Sequence, residues 1–234
     1  MTVEKVALVT AAGKGMGAAI ARDLASNGYR VALMSPSGSA VELAKELGGF
    51  GVAGSVTEDA DIARFVNETL AKYGRIDAVV NNTGHPPKGD LLSIDDDKWH
   101  EGLDLIVLNV ARVLRRVTPV FLKQGGGAVV NISSFAADAP EQAMPVSSAL
   151  RAALSAFTRL YADRYAKDNI RINSVLPGFI DSWPETPEIV ARIPAGRFGK
   201  TQEIAQTVTF LLSEGAGYIT GQNIRVDGGI VRAL

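Results

Sequence analysis

The chain has 234 residues, 47% of them hydrophobic and 21% charged, and its 24 basic and 25 acidic side chains leave a formal charge of -1. This size and mixture suit one globular domain spanning residues 1–234, and the balanced charge argues against a nucleic-acid partner, since such binders carry a strong basic excess. Without cysteine there are no disulfides, catalytic thiols or thiolate metal sites; with no signal segment after Met1 and no apolar run near the roughly 18 residues of a membrane span, the expectation is a soluble cytoplasmic protein.

In chain order, short β-branched runs alternate with stretches of helical spacing. Residues 6–10 predict a strand, 17–27 a helix, 30–34 a strand, 41–47 a helix, 51–53 a strand and 61–73 a helix. The pattern continues with a strand at 78–81, a long helix at 99–122, a strand at 128–132, a helix at 146–166, a strand at 171–175, a helix at 202–212 and a strand at 223–226. The strands show little in–out alternation, as expected of a parallel sheet covered on both faces. Right-handed crossovers then make it a doubly wound, Rossmann-type α/β sheet of about seven strands. Two connections are long and rich in proline: 84–97, with His85-Pro86-Pro87, and 178–199, with Pro184, Pro187 and Pro194. Both follow strand C-terminal ends, where open α/β sheets bind ligands, and the second is the expected substrate loop.

The turn after the first strand reads Thr10-Ala11-Ala12-Gly13-Lys14-Gly15-Met16-Gly17. Small residues there let backbone approach a pyrophosphate, and the following helix offers free N–H groups and the positive end of its dipole. The alternative is a tight strand-to-helix turn without a ligand. Metal binding has no support, because two scattered histidines and Asp95-Asp96-Asp97 are the only candidates, and the aspartates suit a helix N-terminus. The stripe Val110, Val113, Leu114, Val117, Phe121 reads as helix-packing surface.

Five motifs in order extend the pattern along the chain: the glycine turn, Asn81-Asn82-Thr83-Gly84, Asn131-Ile132-Ser133-Ser134, the segment Ile170-Arg171-Ile172-Asn173-Ser174-Val175-Leu176-Pro177-Gly178, and the pair Tyr218-Ile219-Thr220-Gly221-Gln222 and Val226-Asp227-Gly228-Gly229. Together they resemble the short-chain dehydrogenase/reductase family. The resemblance implies a sheet ordered 3-2-1-4-5-6-7, a homodimer or homotetramer, and an NAD(H) or NADP(H) cofactor. Gly13, Lys14, Gly15, Met16 and Gly17 then take the pyrophosphate region, Ser55, Val56, Asn81 and Gly84 the adenosine side, and Pro177, Gly178 and Ile180 the nicotinamide. Ser35 ends the second strand where NAD users of the family carry Asp; the missing carboxylate, with Lys14 nearby in sequence, favours NADP(H) over NAD(H).

The same resemblance implies a catalytic Ser, Tyr, Lys and Asn. Counting from Ser134 places the Tyr position at Ser147, the Lys position at Arg151 and the Asn position at Ile106, with Asn109 one turn away. Ser147 and Arg151, four apart, share a helix face. An aliphatic hydroxyl is too weak an acid to replace a phenol, whereas Arg151, protonated at neutral pH, still supplies fixed donors and positive charge, so it can bind the cofactor ribose and stabilise developing negative charge. Tyr161, 14 residues past Ser147, lies roughly 21 Å along the helix and is too far. His85, Asp138, Glu141 and Asp181 remain as acids, each also readable as a surface group, and His100 has no role.

Three functions fit: an oxidoreductase with a non-standard proton donor, suited to enoyl or imine substrates; a dinucleotide-binding pseudoenzyme or subunit; and a non-redox enzyme on the same scaffold. Phe135, Met144, Phe179, Trp183 and Phe198 in the pocket loops suggest a partly apolar small-molecule substrate.

Overall fold

A computed structural model describes residues 4–232; the remainder of the predicted 1–234 domain, residues 1–3 and 233–234, lies outside them. Its centre is a seven-stranded sheet ordered β3-β2-β1-β4-β5-β6-β7, all pairings parallel. The strands are β1 (Val6–Thr10), β2 (Arg30–Ser35), β3 (Phe50–Ala53), β4 (Ala78–Asn81), β5 (Gly127–Ile132), β6 (Ile170–Pro177) and β7 (Asn223–Val226). The helices are α1 (Gly15–Ser26), α2 (Ser39–Glu46), α3 (Asp59–Tyr73), α4 (Asp96–Leu103), α5 (Asn109–Gln124), α6 (Pro145–Tyr165), α7 (Pro187–Val190) and α8 (Thr201–Leu212).

Two apolar layers enclose the sheet, as the weak in–out alternation of the strands requires. On one face Ala7, Val9, Leu33 and Val130 pack against Ile20, Leu24, Leu43, Ile204 and Val208 of α1, α2 and α8. On the other, Leu8, Met34, Val79 and Val129 meet Ile62 and Phe65 of α3, Leu154 of α6 and the α5 stripe Val110, Val113, Leu114, Val117 and Phe121. Each fully buried Leu or Ile among them contributes about 1.5–3 kcal/mol of transfer free energy.

Most boundaries shift by one or two residues from the sequence reading, and three of the departures have a visible cause. β6 continues to Pro177 because it pairs with β5 on one edge and, through Pro177 opposite Val226, with β7 on the other. α1 starts at Gly15, where a backbone φ of +54° suits glycine and lets the helix begin inside the turn. The long helix predicted at 99–122 is interrupted by a π-helical turn, Asp104–Leu108, which fits one extra residue between α4 and α5. Asp95 caps α4 by accepting from the Lys98 N–H at 2.8 Å, the role read for this acidic run.

Candidate active site

The C-terminal edge of the sheet is tied together around the glycine turn. Thr10 Oγ1 donates to the Asn82 carbonyl at 2.6 Å and accepts from the Asn82 N–H at 2.9 Å, clamping the ends of β1 and β4. Asn82 Nδ2 then donates to the Ala11 carbonyl at 3.2 Å. Ala11 stands in the left-handed region, φ +47°, a conformation that costs a non-glycine residue about 1–2 kcal/mol. Gly17 is required by space: a Cβ there would lie 2.3 Å from the Ala11 carbonyl oxygen. Lys14 is exposed beside the turn and Met16 half-buried. No side chain caps α1 and no acidic residue stands in its first turn, so its dipole is uncompensated.

At the end of β2, Ser35 is buried and its hydroxyl accepts from the Ala40 N–H at 3.0 Å. That hydroxyl, read from sequence as a cofactor contact, thus has one of its hydrogen bonds within the protein. Ser39 shares hydrogen bonds with Ser35 at 3.4 Å and Ser37 at 2.8 Å, and a Cβ on Gly13 would collide with Ser39 Oγ at 1.9 Å. The turn thus rests on a serine cluster at the start of α2. After β3, the Ser55 N–H donates to Asp61 Oδ2 at 2.9 Å, and Val56 is buried.

A chain of buried polar groups underlies the edge: Asn81 Nδ2 donates to Asn131 Oδ1 at 2.8 Å, and Asn131 Nδ2 donates to Thr158 Oγ1 at 3.0 Å. Asn81 Oδ1, Thr83 Oγ1 and Ser133 Oγ are buried with no protein partner, and Gly84 leaves open space where a side chain would stand. Buried polar atoms are nearly always satisfied, so three orphans on one edge point to a polar ligand.

Next to this edge lies a cavity of about 290 Å³. Ser134, Ser147 and Arg151 all line it, as do Met16, Pro177, Gly178 and Ile180. Arg151 is buried; its Nε donates to Ser147 Oγ at 3.2 Å and its Nη1 to the Ile132 carbonyl at 2.8 Å. No carboxylate pairs with it among the described residues. Burial alone holds its pKa down at about 10, which still leaves it ionised at neutral pH. Ser134 Oγ accepts from the Ala136 N–H at 3.2 Å and starts a short helical turn.

The two proline-rich connections meet over the cavity. The Trp183 ring meets His85 edge-on, centroids 4.8 Å apart, and Lys88 Nζ sits 4.2 Å from the Trp183 ring centre. Desolvation first, then Lys88, Arg151 and Lys14, lowers the His85 pKa, so its imidazole is neutral at pH 7. Of the loop residues expected to line a pocket, Phe135, Met144, Phe179 and Trp183 do so; Phe198 lies behind, its ring 5.7 Å from that of Phe179.

The remaining acid candidates are engaged elsewhere. Asp138 pairs with Arg225 at 2.8 Å, and Asp181 accepts from the Thr201 N–H at 3.0 Å at the start of α8; neither lines the cavity. Glu141 does line it but is ion-paired with Arg192. Tyr161 lies away from the cavity, bonded to Thr118 at 2.7 Å, its phenol pushed up to about 12 by burial. Ile106 is buried inside the π turn, while Asn109 donates to the Leu105 carbonyl of its own helix, so neither reaches the site. The sequence reading missed Ser133, Lys88 and Arg192. For Lys88 a signal existed in the basic residue directly after His85-Pro86-Pro87, and for Ser133 in its place within Asn131-Ile132-Ser133-Ser134; nothing local marked Arg192.

The chain matches, over residues 10–231, the family described as enoyl-(acyl carrier protein) reductase. It is 34% identical over 248 aligned positions to the 3-oxoacyl-[acyl-carrier-protein] reductase FabG of Staphylococcus aureus strain Mu50, covering 98% of this chain and 99% of that protein. The protein of the same name from Thermotoga maritima is 34% identical over 241 positions, covering 97% and 98% of the two chains. The Salmonella typhimurium one is 34% identical over 236 positions, covering 97% of each.

Proposed function

The chain belongs to the short-chain dehydrogenase/reductase family of oxidoreductases, and from that footing we propose that it reduces an activated carbon–carbon double bond with a nicotinamide dinucleotide, with Arg151 supplying charge in place of an acid. The residues present fit such a cofactor. Uncapped α1, the close-packed Gly17 and the orphaned Asn81 Oδ1 and Thr83 Oγ1 together form a phosphate-and-ribose cradle in want of polar partners. Gly13 through Gly17 hold the pyrophosphate, Ser55, Val56, Asn81 and Gly84 the adenosine, and Pro177, Gly178 and Ile180 the nicotinamide. Ser37 and Ser39 at the start of α2, with Lys14 and no carboxylate in the cluster, favour NADP(H) over NAD(H).

When bound, the dinucleotide supplies a hydride. The chain's own residues supply charge and position. Arg151, fixed through Ser147 and the Ile132 carbonyl, stabilises negative charge as it develops on the acceptor oxygen, and Ser134 orients that oxygen. Preorganised donors of this kind are worth about 100- to 1,000-fold in rate each. The proton that completes reduction is taken up at carbon from water, so no side-chain acid of phenolic strength is needed. His85, neutral and beside Lys88, shapes the cavity mouth.

The observation that carries this reading is a buried guanidinium with no carboxylate partner in the same cavity as Ser134 and Ser147. The names of these relatives specify a ketone, the 3-oxoacyl group; the matched family's description specifies an enoyl group, which suits a site without a phenol. A panel of enoyl, imine and ketone acceptors, followed by the absorbance of NADPH and NADH, tests it. Enoyl turnover that Arg151→Ala abolishes is expected; ketone turnover by the parent at equal or greater rate overturns it. A dinucleotide-binding pseudoenzyme is the second reading, favoured by Ser147 at the phenol position, and calorimetric binding of NADPH without turnover across the panel establishes it.

A further inference from the structure

The cavity carries more positive charge than the chain neutralises. Three basic side chains line it, Lys88, Arg151 and Arg192, against one carboxylate, Glu141, which is already paired with Arg192. Lys88 is at the rim, over Trp183, where water still reaches it. Arg151 is not so placed. It is buried, and burying a guanidinium without a counter-ion is unfavourable unless something else supplies negative charge.

The hydrogen-bond inventory of Arg151 is equally incomplete. A guanidinium has five N–H donors in a planar fork. One goes to Ser147 and one to Ile132, which leaves three without an acceptor among the described residues, both hydrogens of Nη2 included. Ribose hydroxyls or a thioester carbonyl would accept from them but leave the charge uncompensated. A carboxylate matches the fork, takes two parallel hydrogen bonds and neutralises the cation. The third donor remains for the oxygen on which charge develops.

Around this fork the walls are apolar, with Phe135, Met144 and Phe179 among them. The volume, about 290 Å³, lies just under the range of about 300 to 1,000 Å³ usual for ligand pockets, and it is shared with the nicotinamide side at Pro177, Gly178 and Ile180, so a substrate seated in the rest is small. We propose that the substrate of this site is a small free acid, its ionised carboxylate seated on Arg151 and its apolar body against Phe135, Met144 and Phe179, with the reducible double bond activated by a separate carbonyl. In calling this ligand the substrate, the inference rests on the oxidoreductase reading above.

Calorimetry with hexanoate and hexanamide, two probes of the same shape and different charge, tests it on the full-length protein with and without saturating NADPH. Hexanoate is expected to bind at least tenfold tighter than hexanamide. The ratio should fall to within threefold of unity in Arg151→Met, and stay above tenfold in Lys88→Met. Should Arg151→Met fail to fold, Arg151→Lys serves, with the preference reduced at least threefold because an ammonium lacks the fork. Equal affinities, no binding of either probe, or a preference that survives loss of Arg151 overturns the proposal. A titration of NADPH on the same preparation separates the two readings: dinucleotide binding without carboxylate preference sinks only this one, and absent dinucleotide binding sinks the oxidoreductase reading itself.

Discussion

Replacing Arg151 with Met measures directly what the unpaired guanidinium contributes to folding. Burial lowers its pKa from 12.5 to about 10, and at 1.36 kcal/mol per unit the charged form costs the folded state on the order of 3 kcal/mol at neutral pH. Methionine removes that penalty but leaves the Ile132 carbonyl without its donor, a loss of about 1–3 kcal/mol. The two nearly cancel, so ligand-free Arg151→Met should be as stable as the parent or more stable by up to about 2 kcal/mol, unlike most buried substitutions. The pH dependence is sharper. Between pH 10 and 12.5 the unfolded chain holds the Arg151 proton and the folded chain releases it, so parent stability rises with pH relative to the variant; below pH 10 the penalty is present in full. Urea unfolding of both proteins at pH 7, 10 and 11 reads the difference. A variant less stable than the parent by more than about 2 kcal/mol at pH 7, or a gap that does not move toward the parent between pH 10 and 11, refutes the uncompensated-charge argument.

Gly17→Ala should lose dinucleotide binding and about 2–3 kcal/mol of stability, because its Cβ meets the Ala11 carbonyl, whereas Gly13→Ala should lose less, since a serine hydroxyl can rotate away; NADPH titration and urea unfolding compare the two. Ser147→Tyr combined with Arg151→Lys restores a phenol and an ammonium on one helix face, and reduction of a simple ketone should rise at least 100-fold in NADPH-coupled assays. Ser35→Asp should lower affinity for NADPH at least tenfold while sparing NADH, as measured by dinucleotide titration at fixed ionic strength. His85, whose pKa is depressed, resists protonation in the folded state. Stability should therefore fall as pH drops below 6.5, and thermal unfolding at pH 7 and pH 5 should show a smaller loss in His85→Gln.

The fold was legible because its determinants are local and repeated. Strand runs without alternation, such as Ala78–Asn81, meet apolar layers on both faces, and seven of them separated by helices leave little topological choice. The π turn was not legible, since Asp104–Leu108 has ordinary helical spacing and its extra residue is set by packing against α6. Within the site, the positions of Ser134, Ser147 and Arg151 followed from spacing, and the structure does bring all three to one cavity. What spacing could not give is which polar groups are already engaged. Ser35 accepts from the Ala40 N–H at the next turn of chain, and Asp138 and Asp181 are held by Arg225 and the Thr201 N–H, 87 and 20 residues away, which no local pattern shows.

The central place of β1 in the sheet governs how the chain is assembled. This strand pairs on one edge with β2, Val6 opposite Arg30, but its other edge finds no partner until β4, synthesised later, brings Ala78 opposite Ala7. Until then a row of open backbone groups flanked by Leu8 and Val9 is exposed to any other extended segment. Pairings this distant are slow to close, so refolding yield should depend on protein concentration more steeply than for a helical protein of equal length.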